Sequence, residues 1–493
     1  MTQRLSENNY YTMSKRSEPT FFQSVITILV LMVFLVLNMW LLDDDPLKGG
    51  SQMALLMASL VAGGIAWFNG VRWKEMQQGI TDTVSQAVTA IIVLLFIGTL
   101  AASWMLGGII PALIHYGLYI LHPGYFLPAV VVISALISVG TGSSWSTIAT
   151  VGVAFLGIGN SLGFSNALTA GAIISGAYFG DKVSPLSDTT NLASAVSGVD
   201  LFKHIRYMMN TTVPTIVLTI VIFAVISLFG SRNADIDVGR IHAAIQGTFN
   251  VTPWVFLVLA LVGWMIYKKL PAVVTLFLGS LLGLLSALLF QPGLVHALAG
   301  SGSVGDIFTL LLGTLYKGND IVTGCADVDG LLSTSGMSGM LNTIWLIVSA
   351  MVFGGVMMAG GFLQKITSVL IAKVASAGGL VSTTAVSCIL FNILTADQYI
   401  TIVLSGKMYS EAFRKERLAP EVLSRTIEDS GTVTSVLVPW NSCGATQAAV
   451  LGVPTLAYLP FCFFCYLSPL MTMLFAWLNI RIHRADLPEK AAS

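Results

Sequence analysis

The sequence predicts an all-α polytopic membrane protein of roughly 11–14 transmembrane segments, arranged as two inverted-topology repeats with broken helices. Three observations predict it: too little charge for a surface facing water, a succession of long apolar runs, and an internal repeat whose matching loops differ in charge. Only 10% of the 493 residues are Asp, Glu, Lys or Arg, and 55% are hydrophobic. A soluble domain carries roughly 25% charge, and a single soluble core stops growing well below this length. Lipid removes both difficulties, because apolar side chains then face outward. The formal net charge is +0 and no basic tract stands out, which excludes nucleic acid as a partner.

Taken in order, the chain opens on a polar stretch containing Arg4, Lys15 and Arg16, followed by an apolar run at residues 21–42. That run meets the ~20 residues needed to span a bilayer. It is too long for a signal-peptide core, and Asp43-Asp44-Asp45-Pro46 follows it instead of a small-residue cleavage site. It reads as a first, uncleaved transmembrane helix. Further apolar runs occupy 54–68, 87–110, 127–139, 148–162, 167–178, 213–229, 255–267, 273–290, 344–362, 380–394, 400–404 and 456–478. Several are too short or too polar to be simple spans. Arg72 with Lys74, Lys203 with Arg206, Lys268 with Lys269, and the stretch 407–425 are basic. Asp235 with Asp237 and the segment 320–329 are acidic or neutral. An excess of Lys and Arg marks the cytoplasmic side. Arg481 and Arg484 follow the last span, so both termini are expected in the cytoplasm and the protein in the cell inner membrane.

The repeat emerges at a nearly constant offset. Pro185 and Pro439 lie in similar surroundings 254 positions apart. The same offset pairs Thr141 with Thr395, Thr147 with Thr401, Gly152 with Gly406, and Gly198 with Gly452. An offset of 257 pairs Phe96 and Gly98 with Phe353 and Gly355. Basic Lys203 and Arg206 correspond to an uncharged segment at 458–460, and the charged stretch 411–425 to an uncharged one at 157–171. Matching loops therefore face opposite sides, as an inverted repeat requires. The expected organisation is a tail at 1–20, helices at 21–83, one repeat at 84–230, a linking region at 231–339, a second repeat at 340–478 and a tail at 479–493.

Two segments interrupt the apolar pattern at equivalent places: 180–191, with the run Asp181-Lys182-Val183-Ser184-Pro185-Leu186-Ser187-Asp188-Thr189-Thr190-Asn191, and 428–444, with Glu428, Asp429, Thr432, Asn441 and Ser442. A third, 140–147, carries Thr141, Ser143 and Ser144 and corresponds to Thr395-Ala396-Asp397-Gln398. Proline and glycine break membrane helices and free backbone groups that protein, ions or water must satisfy. A carboxylate in lipid is costly and marks a functional candidate. Sodium, a hard cation, seeks several oxygen ligands by the logic that governs calcium and magnesium. Asp188, Ser187, Thr189 and Asp397 form the expected ion-binding set, with Ser184, Thr190 and Asp181 beside them. Asp181 and Lys182 also suit pairing with charges at a helix end, and Glu428 and Asp429 suit anchorage to Arg425.

Other chemistry is absent. Cys462 and Cys465 lie in an apolar run without a second such pair. The six histidines form no sequence cluster and no H-E-x-x-H occurs. No enzyme activity, cofactor or resident metal is expected.

The run 180–193 resembles the signature of the NhaC family of sodium/proton antiporters, as do Leu-Ser-Arg-Thr-Ile-Glu-Asp-Ser-Gly-Thr-Val at 423–433 and Val-Pro-Trp-Asn-Ser-Cys-Gly at 438–444. The resemblance covers about 87–470. It implies exchange of Na+ for H+ by alternating access through inverted repeats, with Na+ as cargo. The family also includes malate/lactate exchangers, so a small carboxylate contacted by Asn191 and Asn441 is the alternative. Oligomeric state is left open, a homodimer included.

Overall fold

A backbone in lipid must satisfy its own hydrogen bonds, and helices do so within one segment. The computed structural model describes residues 17–41, 49–229, 238–268, 270–300, 302–323, 329, 332–372, 374 and 376–484. Among these it is helical throughout, with two isolated bridges (Asn319 with Thr334, Leu418 with Arg484) and no strand. Arg4, Lys15, Arg16, Asp43 to Asp45, Asp235, Asp237, Lys269, Cys325 and the end of the C-terminal tail lie outside the described residues.

Seven helices are long and apolar enough to cross a membrane, or ten when three bent pairs each count as one. The apolar runs at 127–139, 148–162, 167–178 and 400–404 account for the larger number expected from sequence. They fold into short arms of hairpins and broken helices, which no span-length criterion can recognise.

The two halves meet along a pair of equivalent helices, Trp73–Leu106 and Leu341–Ala359. A Cβ on Gly79 would lie 2.7 Å from the Gly355 carbonyl oxygen, and one on Gly98 would lie 2.4 Å from that of Gly336. Gly79 is equivalent to Gly336 and Gly98 to Gly355, at the 257 offset. The contact is therefore reciprocal, as a two-fold axis demands. Gly79, near the start of one helix, touches Gly355, near the end of its equivalent, so the two run antiparallel. An axis relating antiparallel neighbours is perpendicular to both and lies in the membrane plane. That is an inverted repeat. Thr83 tightens the crossing by donating to the Met351 carbonyl at 2.8 Å.

Each half carries a helical hairpin and a broken helix. The first hairpin pairs Phe126–Thr141 with 144–161, where a π turn (Ile148–Gly152) joins Ser144–Thr147 to Val153–Ser161. A Cβ on Gly159 would stand 2.9 Å from the Phe126 ring, which fixes the antiparallel return. The second pairs Ala377–Thr395 with Gln398–Lys415, closed by Ser387 and Tyr409 hydroxyls at 2.5 Å. Both tips turn through a left-handed residue, Gly142 (φ 68°) and Ala396 (φ 57°), 254 positions apart. Gly142 has no alternative, since a Cβ there would meet Leu186 at 2.6 Å. The tips share their threonine contacts. Thr141 donates to the Ser143 carbonyl at 3.3 Å and contacts Thr147 at 3.3 Å, while Thr395 donates to Asp397 at 3.3 Å and contacts Thr401 at 3.4 Å.

The first broken helix runs Asn166–Val183, then Asp188–Ser197. The second runs Pro420–Ile427, continues through a π turn (Glu428–Thr432), and resumes at Ser442–Leu451. Ser187 and Asn441, again 254 apart, cap the resumed segments.

Gly98→Ala is expected to destabilise the fold by about 1–3 kcal/mol, because its methyl group collides with backbone. Gly64→Ala, with open space around it, is expected to be neutral or slightly stabilising. Thermal unfolding of both variants in detergent checks the difference.

Candidate functional site

A cavity of about 490 Å³ opens where the first hairpin tip, the break of the first broken helix and the second hairpin tip converge. Ser143, Ser146, Asp181, Asp188, Thr189 and Tyr399 are among its lining residues. A second cavity of about 270 Å³ adjoins it and shares Ser143, Ser146 and Asp188. Interrupting the backbone leaves helix ends unsatisfied, and most of the predicted polar residues answer that need.

In the first break, Ser184 donates to the Val139 carbonyl at 2.8 Å, and Thr190 to the Lys182 carbonyl at 2.9 Å. The Asn191 amide donates to the carbonyls of Pro185 at 3.0 Å and Ser187 at 2.8 Å. Ser187 caps the resumed helix and sits 3.0 Å from the Thr189 hydroxyl. Asp181 is buried, and its carboxylate accepts from the Ser144 backbone N–H at 3.0 Å and hydroxyl at 2.6 Å.

Asp188 differs from all of these. It occupies the first position of its helix, where a negative charge suits the helix dipole, yet the residue is exposed to the cavity. Among the described residues no hydrogen bond or ion pair holds its carboxylate.

The second half repeats the construction with one exchange. Ser144 and Asp181 correspond to Gln398 and Ser435, whose side chains approach to 3.4 Å. Ser143 and Asp188 correspond to Asp397 and Ser442, so the carboxylate has moved from the broken helix to the hairpin tip. There it is caged: Asp397 accepts from the N–H groups of Tyr399 (2.8 Å) and Ile400 (3.1 Å) and from the Ser442 hydroxyl (2.9 Å). Asp397 and Ser442 are each 1% exposed. The Asn441 side chain accepts from Cys443 N–H at 3.0 Å and donates to the Asn392 carbonyl at 3.0 Å. Asn191 and Asn441, the contacts to a substrate carboxylate in the alternative reading, thus spend their amide N–H groups on backbone carbonyls.

The acidic pair of the second broken helix has separate surroundings. Asp429 forms a fully buried ion pair with Lys182 and accepts from Thr211 at 2.8 Å. The expected anchorage of Asp429 to Arg425 is not what forms: Arg425 lies over the Tyr207 ring, 4.7 Å from its centre. Glu428 and Thr432 are buried on the π turn and line neither cavity. Sequence reasoning offered Asp181 and Lys182 pairing with charges at a helix end, and Lys182 pairs with Asp429 while Asp181 bonds to Ser144. Adjacent helix positions do not face each other, so one turns to the cavity and the other to the second half. It also missed Trp145 and Tyr399, both lining the cavity. Their signal was available, since they stand at the 254 offset.

Residues 176–480 match the Na+/H+ antiporter family. The chain is 35% identical to the Na+/H+ antiporter NhaC of Alkalihalophilus pseudofirmus over 453 residues, 92% of this chain and 94% of that one. It is 36% identical to the malate-2H+/Na+-lactate antiporter of Bacillus subtilis, over 91% and 93% of the two chains. It is 35% identical to the arginine/ornithine antiporter ArcD of Halobacterium salinarum, over 98% and 97%.

Breaking a buried ion pair leaves an uncompensated charge and costs about 3–5 kcal/mol. Lys182→Met is expected to destabilise by that amount, and adding Asp429→Asn to restore most of the loss. A double-mutant cycle on unfolding midpoints measures both.

Proposed function

The chain belongs to the Na+/H+ antiporter family, and on that premise we propose that it exchanges sodium for protons across the inner membrane by alternating access, with Asp188 the carboxylate for which the two cations compete. The supporting observation is its unpartnered state. Asp181 and Asp397 have their charge met by hydrogen bonds from hairpin tips, whereas Asp188 faces the cavity with no hydrogen bond or ion pair to its carboxylate among the described residues. A proton or a sodium ion supplies that neutralisation, and a single carboxylate cannot hold both at full strength. Competition at one group is enough to couple the two fluxes.

The oxygens that a hard cation needs stand near Asp188: the hydroxyls of Ser143, Ser146 and Thr189 line the same cavity. Ala272, which follows the basic Lys268 and Lys269 loop, also lines it. By the distribution of positive charge, the cavity then opens to the cytoplasm, with both termini on that side. The equivalent position in the other half, Asp397 with Ser442, is closed. Exchanging the conformations of the two halves would close the first and open the second, which is the motion an inverted repeat makes available.

Similarity to the malate/lactate antiporter supports a second reading, an organic-acid exchanger. The asparagines assigned to that role are occupied elsewhere, so sodium/proton exchange is the reading we favour.

Purified protein in liposomes containing a pH-sensitive dye tests it. Sodium is expected to drive proton movement in the wild type and not in Asp188→Asn. Ser143→Ala is expected to raise the half-saturating sodium concentration about two- to tenfold, the range for one hydrogen-bonding ligand. Undiminished exchange in Asp188→Asn would overturn the assignment.

A further inference from the structure

We infer that residues 480–484 strap the two halves together at the cytoplasmic face, and that the proton on His483 sets how firmly they do so. His483 is then a positioning residue. It acts through Glu421 on the second broken helix and, when charged, lowers the maximal rate of the exchange proposed above, on which reading this step rests. It lines neither cavity.

The strap follows the last helix, Phe463–Trp477, and is fastened on both sides. In the first half, Tyr207 donates to the Arg481 carbonyl at 2.8 Å, and the Arg481 guanidinium donates to the Asn210 side-chain oxygen. In the second half, the Ala419 N–H donates to the His483 carbonyl at 3.0 Å, and Leu418 bridges to Arg484. Ala419 immediately precedes the second broken helix, which starts at Pro420. Lys203, Arg206 and the basic stretch 407–425 place this face in the cytoplasm on the orientation proposed above.

His483 carries the strap's variable charge. Its Nδ1 lies 3.0 Å from a carboxylate oxygen of Glu421, which also meets Lys203 at 3.1 Å. The Glu421 side chain is 3% exposed and that of His483 is 54% exposed. A nearly buried acid is thus met by a group in contact with water. An open crevice of about 710 Å³, lined by Lys203, Glu421, His483 and Arg484 among others, leads to the contact. Histidine changes charge between about pH 5 and 8, and the pair is ionic only while the imidazole holds its proton. The surrounding charges are Arg481 and Arg484 on the strap, Lys203, Arg425 beyond the Tyr207 ring, and the exposed Arg414 and Arg417. Lysine and arginine stay charged across that range. His204 is held by Ser424 at 2.8 Å. Asp486, Glu489 and Lys490 lie outside the described residues.

Glu421 has a second partner within reach. Arg425 stands four residues further on, the spacing at which Glu and Arg pair along one helix face. It is buried, and its three guanidinium nitrogens have no hydrogen-bond partner among the described residues. It rests instead on the Tyr207 ring, which also lies against the His483 ring at 4.6 Å. The other Glu421 oxygen is likewise unpartnered. Loss of the His483 proton removes one attraction on Glu421 and leaves Arg425 to draw it along the helix, which loosens the strap. The same helix continues to Asp429, paired with Lys182 of the first broken helix. Alternating access moves the halves past each other, so a strap fastened to both resists that movement.

Exchange of radioactive sodium is measured on the full-length protein in liposomes, with equal pH on both sides and saturating sodium. Saturation removes proton competition at Asp188, so a pH step that persists in the maximal rate arises elsewhere. The wild type is expected to run about two- to fivefold faster near pH 8 than near pH 6, the range for a half-exposed ion pair that titrates with histidine. His483→Gln is expected to be fast at both values. His483→Lys, charged at both, is expected to be slow at both, which separates charge from loss of packing. Hydrogen exchange over residues 479–484, read by mass spectrometry near pH 6, is expected to show protection in the wild type and His483→Lys, and less in His483→Gln. A wild-type step that His483→Gln preserves, or a His483→Lys rate that rises with pH like the wild type, overturns the assignment. Equal protection in wild type and His483→Gln does so too. If the protection pattern holds but the wild type moves no sodium, the strap stands and the sodium/proton reading fails.

Discussion

A chain that interrupts its helices inside lipid must supply its own replacements for the lost backbone hydrogen bonds, because no water is there to do so. This constraint organises most of the structure. The two hairpin tips and the two helix breaks expose backbone groups near the middle of the molecule. Ser143, Asp397, Ser187 and Asn441 cap the four helix starts that result, Thr190 and Asn191 hold carbonyls of the first break, and Ser184 ties that break to the Val139 carbonyl of the hairpin. What looks in sequence like a rich set of ion ligands is largely the hydrogen-bonding upkeep of a broken backbone. Of the carboxylates that line the cavity, Asp188 is the one left without a hydrogen bond among the described residues; Glu428, also without a partner, is buried away from it.

Pseudo-symmetry explains how the surplus arises. The halves agree in detail where the backbone demands it: left-handed tips at Gly142 and Ala396, and left-handed helix ends at Gly198 and Gly452. They differ in where the carboxylate sits. In the second half it is on the hairpin tip, where two backbone N–H groups and a serine absorb its charge. In the first half it is on the helix beyond the break, beside a tip bearing serine. One exchange of Asp and Ser between equivalent positions thus produces one caged and one free acid from the same scaffold.

The Lys182–Asp429 pair joins the broken helices of opposite halves deep in the protein. Removing two charges from water costs several kcal/mol per ion before their attraction repays it, so apolar residues would hold the halves together at least as well. Its worth lies in specificity, since an uncompensated buried charge penalises any packing that separates these two turns. The same pairing turns the lysine away from the cavity, whose lining among the described residues carries Asp181 and Asp188 and no basic side chain.

By itself, the sequence determined the membrane setting, the repeat and the four places where helices break, because each is written locally: in apolar runs, in residues recurring at a fixed offset, and in Gly, Pro and Ser/Thr clusters. It put Asp188 and Asp397 ahead of the other carboxylates of the site without showing which of the two would be caged. Asp181, Asp188, Asp397 and Asp429 stand in comparable polar stretches, and nothing along the chain says which carboxylate will find partners. That depends on groups far away in sequence, such as Ser144 for Asp181 and Lys182 for Asp429. Only the tertiary structure decided that three of the four are satisfied and one is free. Hydrogen bonds and ion pairs act over a few ångströms of space, and the packing of the two halves sets which groups come that close.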